Sequence, residues 1–148
     1  MKKFILILCC VALFLPACKK DEKSKSKTEL ISNGSWHVTA YTVDPAVDYD
    51  GDGTDENNIF AVMEECVIDD HTTFLANGNC ELDEGATKCD PGDPQTFQLA
   101  WSFDDNESHI EVDGINYEIE TLTENQMLLK EIETIQAVTY THRVTFVH

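Results

Sequence analysis

Beyond residue 34, apolar and polar positions alternate with a period of two along most of the chain, the spacing that sends successive side chains to opposite faces of a strand. "WHVTAYTV" places Trp36, Val38, Ala40 and Thr42 on one face. "FQLAWSF" places Phe97, Leu99, Trp101 and Phe103 on one face, with Gln98, Ala100 and Ser102 opposite. The same alternation predicts strands at 110–112, 115–122, 127–132 and 137–147, and "TTFLANGNCEL" at 72–82 predicts a hairpin turning at Asn77 and Gly78. That makes about eight strands, with turn residues at Asn106 and Glu107, Asp113 and Gly114, and Glu124 and Asn125 at the close spacing of an up-and-down sandwich or barrel. Only "NIFAVMEEC", 58–66, carries apolar residues at helical spacing (Ile59, Val62 and Met63) and predicts one short helix. Strands do not alternate with long helices, which disfavours a parallel sheet.

The pattern ahead of residue 30 is of another kind. Met1, Lys2 and Lys3 form a positive start, Phe4 to Leu15 an unbroken apolar run, and Pro16 and Ala17 precede Cys18. A basic start, an apolar stretch of this length and a small residue before the cut describe a secretory signal peptide, and twelve residues are too few to span a bilayer of about 30 Å. Leu15, Ala17 and Cys18 further resemble a bacterial lipobox, in which cleavage leaves a lipid-modified cysteine first; Pro16 is an unusual middle residue. The competing reading is an ordinary signal peptide. The resemblance implies cleavage after residue 17, palmitate-type acylation of Cys18 and permanent membrane anchoring, since several acyl chains exceed what stable attachment needs. "KKDEKSKSKTE" follows, with no apolar residue between Cys18 and Leu30, so 18–29 is expected to be anchor and disordered tether and 30–148 the folded domain. Lys20, Asp21 and Glu22 resemble the short acidic signal that sends some lipoproteins to the cell surface, and a plain solvated tether fits the same residues.

Charge narrows the function classes. The chain carries 28 acidic and 10 basic residues, a formal charge of -18, and from residue 30 onward only Lys88, Lys130 and Arg143 oppose 25 acidic residues. A phosphate-binding surface needs Lys and Arg, so nucleic acid is set aside. The densest ligand set is "VDYDGDGTDENN", 47–58, where Asp48, Asp50, Asp52 and Asp55 among glycines resemble the opening of an oxygen-rich calcium loop. An EF-hand register started at Asp48 ends at Ile59 instead of a bidentate Glu, so the two readings are a non-standard Ca2+ site and a solvated acidic loop. The five histidines are scattered and none lies in a metal-ligand pattern. No G-x-S-x-G occurs, and no cysteine has a His partner in sequence, so the chain reads as a binding module and not an enzyme.

"NGSWHVTAYTVD", the "EEC" followed by "DDHTTFLANG", and "EGATKCDPGDPQTF" together resemble the bacterial lipocalin-like domain of small secreted lipoproteins, over nearly all of 30–148. The resemblance implies an antiparallel up-and-down eight-stranded β-barrel, with Gly34-Ser35-Trp36 as the G-x-W opening whose Trp closes the barrel floor. In that family a basic residue of the last strand can lie against this Trp, and Arg143 is the one candidate here. The resemblance also pairs Cys66 with Cys89, closing a loop of about 24 residues worth roughly 3 kcal/mol in the chain-entropy model; Cys80 departs from the pattern, and a Cys80–Cys89 bridge is the alternative. Most of the aromatic face reads as core. Where a cavity is left, Trp101, Phe103, Tyr117 and Tyr140 are expected to line it.

Two function classes follow. One is a lipid-anchored binding module at the outer membrane, on its periplasmic face or the cell surface, holding a small apolar ligand. The other is an accessory lipoprotein with a filled barrel, whose acidic loop binds a cation and docks a protein partner.

Overall fold

A computed structural model describes residues 24–148. The expected signal peptide, the lipid anchor at Cys18 and the tether up to residue 23 lie outside the described residues.

Among the described residues nine strands run in a single meander: β1 (Ser35–Val47), β2 (Glu56–Asn58), β3 (His71–Phe74), β4 (Asn79–Asp83), β5 (Thr96–Phe103), β6 (His109–Val112), β7 (Ile115–Leu122), β8 (Gln126–Ile135) and β9 (Val138–Val147). Neighbours pair antiparallel in the order β2-β1-β3-β4-β5-β6-β7-β8-β9, and β9 returns to pair with β1 over His37↔Val147 to Asp44↔Thr141. Eight strands, β1 and β3 to β9, thus close an up-and-down barrel, as expected. Closure removes both open sheet edges, which an eight-stranded sheet would otherwise expose to pairing by other chains. The β1–β3 seam is narrow: only Ser35↔Thr73 and Trp36↔Thr72 pair, and farther along that edge of β1 the short β2 takes over at Thr42↔Asn58 and Val47↔Glu56.

Three expectations are corrected. The alternation of β1 does not run through to Thr42: a bulge between Val38 and Ala40 inserts one residue, so Trp36 and then Val43 are buried while Thr42 is exposed. The helix expected over 58–66 is split into a 3-10 turn, Ile59–Ala61, and α2, Glu65–Ile68, because Glu64 between them is extended (φ -67°, ψ 145°). Ile59 and Cys66 are each buried, one against β1 and one in a disulfide. Residues 27–29, expected within the tether, are helical instead: α1 (Lys27–Ile31) is capped by Ser26, whose Oγ accepts from the Glu29 amide while its own amide donates to the Glu29 carboxylate.

Helix α1 is short but decisive for the core. It delivers Ile31, fully buried, beside Trp36, and the Trp36 Nε1 donates to the Ile31 carbonyl at 2.8 Å. Trp101 repeats the device, its Nε1 donating to the Leu75 carbonyl at 2.9 Å while its ring meets Phe74 and Phe103 edge to face. Ile110, Met127 and Leu129 complete this core. The hairpin turns follow strand twist: Asp113 and Gly114 both have positive φ (51° and 82°), as a two-residue type I′ turn requires. Gln136 and Ala137 adopt the same conformation (50° and 69°) between β8 and β9 without glycine or asparagine.

Candidate functional site

A cavity of about 140 Å3 lies inside the barrel above the Trp36 floor. Strands β3 to β9 each contribute to it: Thr72 and Phe74, Cys80 and Leu82, Leu99, Val112, Tyr117, Leu129, and Val144 and Phe146. The lining is almost wholly apolar because inward positions of neighbouring strands lie in register, for example Phe74↔Cys80 and Cys80↔Leu99. Burial pushes the Cys80 thiol up to about 11, so this free cysteine is an unreactive part of the wall. Tyr117 supplies a phenol; burial first, then the Glu131 carboxylate and Tyr41, hold it protonated, with a pKa of about 12. Among the described residues the Tyr117 hydroxyl has no hydrogen-bond partner.

The wall turns polar above the cavity. Tyr41, His142 and Glu133 form a hydrogen-bonded chain, with Tyr41 Oη to His142 Nδ1 at 3.0 Å and His142 Nε2 to Glu133 Oε1 at 2.9 Å. Glu131 is paired with His142 across β8 and β9. Burial, then Tyr49, Glu131 and Glu133, raise the Tyr41 phenol as well.

The β1–β3 and β4–β5 connections meet at this same end. Cys66 of α2 is bonded to Cys89, with Cα atoms 5.2 Å apart, which settles the pairing against Cys80–Cys89. Beside the bridge, Asp69 accepts from the amides of Ala86 and Thr87, each at 2.9 Å. Gly85 (φ 61°) passes so close that a Cβ there would lie 2.2 Å from the Asp69 carbonyl oxygen, so no larger residue fits. Asp70 and Glu84 are drawn in together; one carboxylate oxygen of Asp70 is buried without a hydrogen bond. Burial first, then the charges of Glu84, Asp69 and Asp83, with His71 opposing, raise Asp70 to about 6.

The sequence-predicted site residues divide as follows. Tyr117 lines the cavity. Trp101 and Phe103 do not line it; they pack below it in the floor, where the edge-to-face contacts take up their rings. Tyr140 is paired with Glu133 outside the cavity lining. The strand pattern points to Leu129, Val144 and Phe146 as lining residues once the face of β8 and β9 is known; Cys80 and Thr72 lacked any such signal. Arg143 does not lie against Trp36, because the parity of β9 turns it outward to the Glu120 carboxylate at 3.0 Å; the His148 ring takes that place, its centroid 3.8 Å from that of Trp36. In the acidic loop Asp48, Asp50 and Asp52 converge, with carboxylate oxygens within 4.8 Å of one another, and Asp55 is not part of the group. Their oxygens accept from amides of the same loop, those of Gly53, Asp52 and Thr54.

No family model matches the chain, and no curated protein matches it. A solved structure does. The bovine odorant binding protein in complex with a selenium-containing odorant is similar at a TM-score of 0.45 and 12% identity, covering 87% of this chain and 76% of that one.

Proposed function

We propose that the chain is a lipid-anchored binding module of the bacterial envelope that holds a small, neutral, mainly apolar molecule in its barrel. The observation that carries this reading is the apolar cavity of about 140 Å3 over a closed floor. A dry apolar cavity of about 150 Å3 is enough to take up benzene, whereas drug-sized ligands need several hundred Å3, so the ligand is of single-ring or short-chain size. The protonated Tyr117 hydroxyl, without a partner among the described residues, favours a ligand with one acceptor oxygen, such as a small ketone or ether. Anchoring rests on the signal segment and Cys18 and would keep the module at the outer membrane, on the periplasmic face or the cell surface.

Titration calorimetry of the full chain with toluene and with acetophenone tests this. Both are expected to bind, acetophenone more tightly; Leu129→Trp should abolish uptake of both, and Tyr117→Phe should remove the preference for acetophenone. Absence of heat and of any Tm shift with either probe in the unmodified chain sinks the carrier reading.

A second reading draws on the exposed rim. Ile132 is 59% exposed on the outer face, while Ile135 (50%), Val138 (42%) and Ile115 (44%) share the parity of the cavity-lining Leu129, Val144 and Tyr117 and form an exposed apolar rim at the strand ends. Such a rim, with the acidic loop, suits an accessory protein docking a partner.

A further inference from the structure

We propose that the outer wall of the barrel carries a binding site for one divalent transition-metal ion of the zinc or copper class, made by His37, His71 and Asp83 with His148 at its rim. The site lies on the narrow seam between β1 and β3. There the register Ser35↔Thr73, Trp36↔Thr72 continues to place His37 opposite His71, and His71 is paired with Asp83 of β4. Since Trp36, Thr72 and Leu82 face inward, these three stand in one row on the outside, across three adjacent strands. Directly opposed residues have Cβ atoms about 5 Å apart, so His71 in the middle neighbours both His37 and Asp83; the three donor atoms do not converge within 4.8 Å as they stand, and side-chain rotation has to bring them onto one ion. An open groove of about 600 Å3 contains all three, together with His148.

The donor atoms are available. Neither His37 nor His71 is hydrogen-bonded within the described residues, and their ring centroids are 5.9 Å apart. Two imidazoles bound tetrahedrally at a metal–nitrogen distance of about 2.0 Å have centroids about 5 Å apart, so modest side-chain rotation within the groove closes the pair on an ion. Asp83 is already oriented: the Gly85 amide and Gln95 Nε2 both donate to its Oδ1, at 3.0 and 2.8 Å, which leaves Oδ2 to the groove. His148 is held by the Ser35 carbonyl at Nδ1, 2.9 Å, and by stacking on Trp36, which leaves Nε2 as its free nitrogen. Support of a ligand by a carbonyl or amide behind it is what metal sites use to fix orientation. The strong negative charge of the domain raises the local concentration of any cation. Imidazole nitrogen then selects the borderline transition ions over calcium and magnesium, which prefer oxygen sets such as Asp48, Asp50 and Asp52.

Calorimetry of the full chain with Zn2+ and electron paramagnetic resonance with Cu2+ test the site. The expected result is one equivalent of Zn2+ bound, a Tm that rises with Zn2+, and nitrogen hyperfine structure on Cu2+. His37→Gln and His71→Gln should each weaken binding on the order of tenfold or more. The double variant should lose binding, with an unchanged circular dichroism spectrum since His71 is exposed and His37 half-buried on the outer face. Ca2+ should not compete. Absence of Zn2+ binding, full binding by the double variant, loss of the site in Asp50→Asn, or Cu2+ bound by oxygen alone would each overturn the assignment.

Discussion

The two ends of the barrel are built from the same strands and held by opposite means. At the floor, Ile31, Trp36, Trp101 and Met127 are buried together, and both indole N–H groups reach a carbonyl. At the other end, Asp69, Asp70, Asp83 and Glu84 crowd where two connections meet, one carboxylate oxygen each of Asp69 and Asp70 is buried without a hydrogen bond, and a covalent bridge holds the connections together. The floor stabilises by matched burial. The opposite end spends part of that stability on closely packed like charges, while the His-lined seam runs between the two, with His71 and Asp83 beside the charges and His148 stacked on Trp36.

The largest effect expected from this contrast is at the floor. Trp36→Ala should cost about 3–5 kcal/mol, the range for emptying a large aromatic from a packed core, read as a fall in denaturant midpoint. Trp36→Phe separates the terms, since it keeps most of the area and loses the bond to the Ile31 carbonyl. Removing the bridge with Cys66→Ser and Cys89→Ser should cost about 3 kcal/mol or less, because its 23-residue separation closes a modest loop. Were the bridge variant to unfold before Trp36→Ala, the covalent link and not the floor would dominate stability, and the comparison would be reversed.

Sequence patterning made the strands legible because every barrel strand has one buried face, and period two is the direct record of that burial. It failed where the backbone departs from a regular ladder. The bulge before Ala40 reverses the parity of β1 with no Gly or Pro to announce it. Gln136 and Ala137 form a left-handed turn with residues that do not favour one. Helix α1 was hidden because five residues of mixed polarity carry no period, although the Ser26-x-x-Glu29 capping box is a local signal that could have located it. The cavity and the histidine groove were illegible for another reason. Their members lie tens of residues apart, and only closure of the barrel brings β9 and the chain around Ser35 together with β3 and β4.

The smallest effect tests whether the charged end is strained by charge. Asp70 has an ordinary pKa of 3.8 and is raised to about 6 in the fold, first by burial and then by Glu84, Asp69 and Asp83, with His71 pulling the other way. The native state therefore binds more protons than the unfolded state between about pH 4 and 6, and stability falls as pH rises through that window. Below it both states are protonated and the penalty is absent; above it both are ionised and the penalty is complete. Asp70→Asn should thus raise Tm at pH 7 and leave it nearly unchanged at pH 4. Asp104 provides the opposite sign: bonds from the His109 amide and from Ser108 lower it to about 2, so its contribution is present above the ordinary carboxylate range and is lost as pH falls toward 2. A thermal melt series from pH 2 to 7 distinguishes the two. An Asp70→Asn shift of equal size at every pH would mean that packing at this position, and not like-charge crowding, separates this end from the floor.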